Sequence, residues 1–125
     1  MTDRQLVITA SLVLLVGVGA GAFGAHGLRR IISPDLLSVW QTAVLYQLIH
    51  GLGMLAIAAL GAKFGSSLLS NAGLMMFAGI VIFSGSLYVL ALTGTKWLGA
   101  ITPIGGLAFI VAWAMVALAA YRTAQ

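Results

Sequence analysis

Residues 70–93 read SNAGLMMFAGIVIFSGSLYVLALT, a run without Asp, Glu, Lys or Arg. A bilayer core about 30 Å thick is crossed by roughly 20 apolar residues in a helix, and this run has that length and character. Working outward, the same description fits three further segments, Leu6–Ala25, Val39–Gly61 and Leu98–Tyr121. Lipid offers the backbone no hydrogen-bond partners, so helices are expected rather than open strands. A β-barrel would show alternating segments about 10 residues long, whereas these runs are longer and uniformly apolar. The predicted fold class is all-α: a polytopic membrane protein with four antiparallel transmembrane helices in one bundle.

Composition agrees. Of 125 residues, 62% are hydrophobic and 6% charged, whereas a soluble bundle needs a polar face on every helix. A single domain of four spans uses nearly all of residues 1–125, leaving no room for a soluble catalytic or nucleic-acid-binding domain. The net charge of +4 comes from six basic residues against Asp3 and Asp35. Arg4, Arg29, Arg30, Lys63, Lys96 and Arg122 sit at the predicted span ends, where such side chains snorkel toward lipid headgroups. Membrane lipid is thus the expected partner of these charges, and nucleic acid is not. The chain has no cysteine, which removes disulfides, thiolate metal sites and thiol nucleophiles. Arg4, an apolar run and Ala20-Gly21-Ala22 resemble a secretory signal with its cleavage site; we expect instead a retained first helix.

The first connection, through Arg29, Arg30 and Ile31-Ile32-Ser33-Pro34-Asp35, is the longest. Ser33 and Pro34 fit the N-cap and first position of a helix, so a short interfacial helix is expected to lead into the second span. The second connection, Lys63–Ser67, is rich in glycine and serine. The third, Thr93-Gly94-Thr95-Lys96-Trp97, is tight, with Trp97 suited to the interface belt. Arg4, Lys63 and Arg122 fall on one membrane face, and Arg29, Arg30 and Lys96 on the other. Three against three gives the positive-inside rule no leverage on orientation. Dual topology or a partner that sets the orientation would each fit this balance.

Small residues line two helix faces. Gly17, Gly21 and Gly24 follow i, i+4, i+7 in the first span, and Ala72, Gly79, Ser86 and Thr93 recur every seven residues in the third. Small faces let helix backbones approach closely in lipid. They fit packing within the bundle, or docking of another protomer or membrane protein.

Polarity gathers in one half of the bilayer. Tyr46, Gln47 and His50 share an arc of about 100° on the second span, and Ser84 and Tyr88 are i, i+4 neighbours on the third. Counted from the face bearing the first and third connections, His50 and Ser84 lie roughly 15 Å deep. Gln47, Tyr88 and Thr102 are shallower, and His26 marks the rim. A polar cluster of Tyr46, Gln47, His50, Ser84, Tyr88 and Thr102 is predicted between the second, third and fourth spans, opening toward Arg29 and Arg30. An ionisable group inside a membrane merits a functional hypothesis. For His50 the structural alternative is a neutral core histidine bonded to Gln47, Tyr46, Ser84 or Tyr88. A two-histidine metal site is disfavoured, because His26 and His50 differ by about 15 Å in depth and no acidic ligand joins them. Pro103, beside Gly105 and Gly106, predicts a kink or a late start in the fourth helix, with Thr102 placed to satisfy a freed backbone group.

These motifs resemble a known family. Gly21-Ala22-Phe23-Gly24-Ala25-His26-Gly27-Leu28 looks like its first signature, and Tyr46-Gln47 with His50 its second. Phe83-Ser84-Gly85-Ser86-Leu87-Tyr88 with Ala91-Leu92-Thr93-Gly94 looks like its third. Leu98-Gly99-Ala100-Ile101-Thr102-Pro103-Ile104-Gly105-Gly106 looks like its fourth. Together they are similar to the YgdD/YwdK-like family of small four-helix bacterial inner-membrane proteins, a domain-of-unknown-function family with eukaryotic relatives. The resemblance implies fold and an inner (plasma) membrane location, and brings no reaction, substrate or cofactor.

Three classes of function follow. The stripes and tight loops favour a non-enzymatic protein that associates through its helices, as a homo-oligomer or an accessory subunit. A small transporter or channel for a neutral or lipid-like solute past His50 is the alternative. The size matches small multidrug transporters, yet the intramembrane Glu of those proteins is absent from the first span. An enzyme is disfavoured: Ser84 and His50 at similar depth have no carboxylate in the spans to orient the imidazole. No catalytic residue, metal or cofactor is therefore expected.

Overall fold

The computed structural model describes residues 1–123, which are helical apart from short connections. Helix α1 spans Asp3–Ala25, α2 Pro34–Phe64, α3 Ser67–Thr93 and α4 Thr102–Arg122, with short 3₁₀ turns at Leu28–Arg30 and Lys96–Ala100. All four are long and apolar enough to cross a membrane.

Helices α1, α2 and α3 begin where a side chain accepts from their free N–H groups. Thr2 and Gln5 form a reciprocal capping box, with Gln5 N–H donating to Thr2 Oγ1 (3.1 Å) and Thr2 N–H to Gln5 Oε1 (3.0 Å). This carries α1 a turn beyond the apolar run into the headgroup zone. Ser33 accepts from Leu36 N–H with Pro34 in the first turn. The cap is at the expected residue, but no separate interfacial helix follows: α2 is continuous from Pro34 to Phe64. Ser66 caps α3 through Leu69 N–H. Gly94 ends α3 at φ +71°, a left-handed conformation that only glycine adopts without steric cost. Pro103 lies in the first turn of α4, where its missing N–H goes unused; the helix starts late instead of kinking.

Helices α2 and α3 form the central pair, α1 packs along α2, and α4 along α3. Within their most apolar windows, 50% of α2 and 44% of α3 is buried, against 17% of α1 and 22% of α4. The outer helices turn large apolar side chains outward, among them Leu12, Leu15 and Val18 on α1 and Leu107, Ile110 and Leu118 on α4. In water this would be untenable, and in a bilayer these are the groups that lipid solvates.

The interior has two apolar regions. One, toward the Arg4 and Lys63 face, joins Leu6, Ala10, Met54, Ile57, Leu69, Ala72, Met76 and Ala119. The smaller, toward the Arg29 face, joins Leu28, Trp40, Val44 and Ala91. The buried polar side chains Gln47, Ser84 and Ser86 lie nearer that second face along their helices, and buried His50 lies near the middle of α2.

Candidate functional site: a histidine–aromatic groove and three polar ties

Where the sequence predicts one polar cluster, the structure builds separate ties that point in different directions. Gln47, buried at 5% exposure, donates from Nε2 to the carbonyl of Val13 (2.9 Å) and accepts the Tyr88 hydroxyl on Oε1. One side chain on α2 thereby joins α1 and α3. Ser84 donates to the carbonyl of Ala43 at 2.7 Å, binding α3 to α2. Ser86 and Thr102 share a 2.6 Å hydrogen bond that binds α3 to α4, and Thr102 also reaches the carbonyl of Leu98 at 3.3 Å. Gln47 and His50 diverge because three residues of helix turn them apart by about 60°. Gln47 looks to α1, and His50 to α4.

His50 makes neither the Gln47 nor the Ser84 or Tyr88 contact open to it by sequence. Its Nδ1 lies 2.8 Å from the carbonyl of Tyr46, and its Nε2 lies 3.0 Å from the indole nitrogen of Trp113. A carbonyl only accepts and an indole N–H only donates. These partners therefore assign the neutral ring protonated on Nδ1. The ring lies flat against Phe109, with centroids 3.6 Å apart and 8° between planes. Tyr46 is stacked in turn over Phe109 and tilted against Phe83. Trp113 and Phe109 are the site residues that polarity alone did not single out. They are i, i+4 neighbours on α4, and an indole N–H in a membrane needs an acceptor, a requirement that His50 meets.

Around this ring system α2 and α4 stand apart, leaving a lateral groove of about 540 Å³. Tyr46, His50 and Phe83 line it from one side, and Phe109, Trp113 and Leu107 from the other. It runs from Pro103, near the Arg29 face, to the level of Trp113 in mid-helix, and its mouth faces the bilayer. Among the described residues every buried polar side-chain atom has a partner.

The small-residue stripes seat neighbouring helices of the same chain. A Cβ on Gly17 would meet Leu48, on Gly21 Val44, and on Gly24 the Trp40 indole at 2.7 Å. Trp40 also donates from Nε1 to the carbonyl of Ala20 at 2.8 Å. Ala72 is buried in the larger apolar region, and Gly79 lies under the Phe109 ring. Thr93 leaves the pattern: it is exposed and bonds back to the carbonyl of Val89.

One consequence can be measured. Gln47→Leu strands the Tyr88 hydroxyl in lipid-protected surroundings, at a cost of about 1–3 kcal/mol. The carbonyl of Val13 retains its place in the α1 ladder. Adding Tyr88→Phe removes the stranded hydroxyl and should recover part of the loss. Unfolding midpoints in detergent for the two single variants and the double variant check this. A double variant less stable than Gln47→Leu would contradict the pairing.

Four apolar helices with internally satisfied polar ties define a polytopic integral membrane protein. A family model described as "Protein of unknown function (DUF423)" matches residues 20–106, and the chain belongs to that family. It is 49% identical to the UPF0382 membrane protein YwdK of Bacillus subtilis (strain 168) over 120 residues, covering 95% of this chain and 98% of the relative. It is also 50% identical to the UPF0382 membrane protein SAUSA300_0565 of Staphylococcus aureus (strain USA300) over 122 residues, covering 97% and 98%. No solved structure matches the chain. The family resemblance, the membrane location and the all-helical fold thus hold.

Proposed function

We propose that this membrane protein works by association inside the bilayer, as a homo-oligomer or beside another membrane protein, and not by catalysis. The observation that carries this reading is the lateral groove between α2 and α4. Its aromatic walls and the small residue Gly106 make a concave seat for side chains of a partner helix. The stripes on α1 and α3 lend no support, since their glycines already seat helices of the same chain. Catalysis is disfavoured because both nitrogens of His50 are engaged, as is the hydroxyl of Ser84.

A second reading rests on the same lining. About 540 Å³ falls within the usual range of small-molecule pockets, so the groove would also suit a lipid-like or neutral molecule. Passage deeper than His50 then requires the Trp113 bond to open.

A photoreactive benzoylphenylalanine at Leu107 or Ile110, on the groove, and at Leu15, on the outer side of α1, tests both readings in native membranes. These side chains are 61%, 68% and 68% exposed, so the substitutions leave the interior intact. Association predicts discrete protein adducts from Leu107 and Ile110 and none from Leu15. Lipid adducts alone at all three positions would dismiss it. One small molecule captured only at the groove would favour the second reading.

A further inference from the structure

Away from the groove, the turn after α1 forms a recess of about 540 Å³ lined by Ala25, His26, Gly27, Arg29 and Arg30. We propose that this recess binds a phosphate group, carried by an anionic lipid at the same membrane face. The turn is held from beneath. Leu28 is 2% exposed and joins Trp40, Val44 and Ala91 in the smaller apolar region. Its anchoring leaves Arg29 and Arg30 exposed on the 3₁₀ turn, and both border one cavity.

The chemistry of the recess suits a phosphate. Two guanidiniums offer forked N–H donors that match phosphate oxygens, and His26 is a further polar residue of the lining. Arg29, Arg30 and Lys96 face only Asp35 at this end of the bundle, which leaves an excess of positive charge there. Interface anchoring by snorkelling accounts for isolated basic residues, but not for two that share a recess with a histidine. Geometry also favours a lipid as the source. Ile31, next in sequence, is 74% exposed, and an exposed isoleucine beside paired arginines suits the boundary between headgroups and acyl chains. Basic pockets on transmembrane bundles hold anionic headgroups by this combination.

The full chain, purified in detergent, is offered phosphatidylglycerol and phosphatidylcholine of equal acyl length, and retained lipid is counted by native mass spectrometry. An arginine near an anionic surface contributes about a fivefold preference, so the pair predicts roughly 25-fold in favour of phosphatidylglycerol. The combined variant Arg29→Gln with Arg30→Gln should lose that preference while keeping its unfolding midpoint, because both side chains are exposed. Lys96→Gln, on the same face but outside the recess, should retain it. Equal retention by the double variant, or equal loss in Lys96→Gln, would overturn the site. Inorganic phosphate at millimolar concentration should leave the lipid bound; displacement would assign the recess to a soluble phosphate and overturn the lipid as its source.

Discussion

Gly105→Ala is expected to destabilise the fold by roughly 1–3 kcal/mol, the usual range for overpacking, with the value near its upper end. A Cβ at Gly105 would run into the backbone nitrogen and Cα of Phe83 on α3, and backbone cannot swing aside as a side-chain tip can. Gly79 shows the other half of the same crossing: its Cβ would meet the Phe109 ring at 2.6 Å and the carbonyl of Gly105 at 3.2 Å. The two glycines bring α3 and α4 together by mutual approach, the arrangement that replaces hydrophobic drive between helices in lipid. Gly85→Ala supplies the contrast. No atom lies within 4 Å of a Cβ there, and alanine is the better helix former by about 1 kcal/mol. Its stability should be unchanged or slightly raised. Thermal unfolding in one detergent, read for both variants, checks the crossing. Equal midpoints would mean that α3 and α4 do not meet at Gly105.

His50→Ala should cost roughly 2–4 kcal/mol, from the cavity left against Phe109 and from the indole N–H of Trp113 left without an acceptor. Trp113→Phe, which removes the donor while keeping an aromatic ring, should cost less. The pair should be coupled in a double-mutant cycle, by about 0.6 kcal/mol on average for hydrogen bonds between membrane helices and up to about 1.7. Zero coupling would remove the hydrogen bond from the account. The tautomer offers a direct check: ¹⁵N chemical shifts of the His50 ring should report a proton on Nδ1 and a bare Nε2. A doubly protonated ring would be incompatible with an indole donor at Nε2.

Several local features are readable from neighbouring residues alone. Ser33 with Pro34 marks the start of α2, and Gly94 the end of α3, because caps and left-handed ends depend on residues a few positions apart. Thr2 and Gln5 carry the capping-box spacing too, and they draw α1 out to Asp3. The positions of the polar groups along their helices are legible in the sequence, and their partners are not. Depth follows from counting along a helix at 1.5 Å per residue. A partner depends on how each helix is rotated about its axis, and the hydrophobic pattern is silent there because every face of these spans is apolar. Gln47 and His50, grouped by their shared arc on the second span, thus serve opposite neighbours. Trp113 is illegible for the same reason, since a tryptophan in an apolar span reads as bulk until its N–H is seen to point at an acceptor.

By itself the sequence determined that this protein lives in lipid, crosses it with four helices and concentrates polarity toward the face of Arg29 and Arg30. Length, hydropathy and charge position suffice for that, because the bilayer imposes its thickness and its intolerance of bare backbone on any chain that enters it. Only the tertiary structure decided that α2 and α3 are the central pair, that the glycine stripes are spent inside the chain, and that His50 closes onto Trp113 beside an open groove. Those outcomes depend on the close fit of one helix against another, a matter of ångströms at positions far apart in sequence.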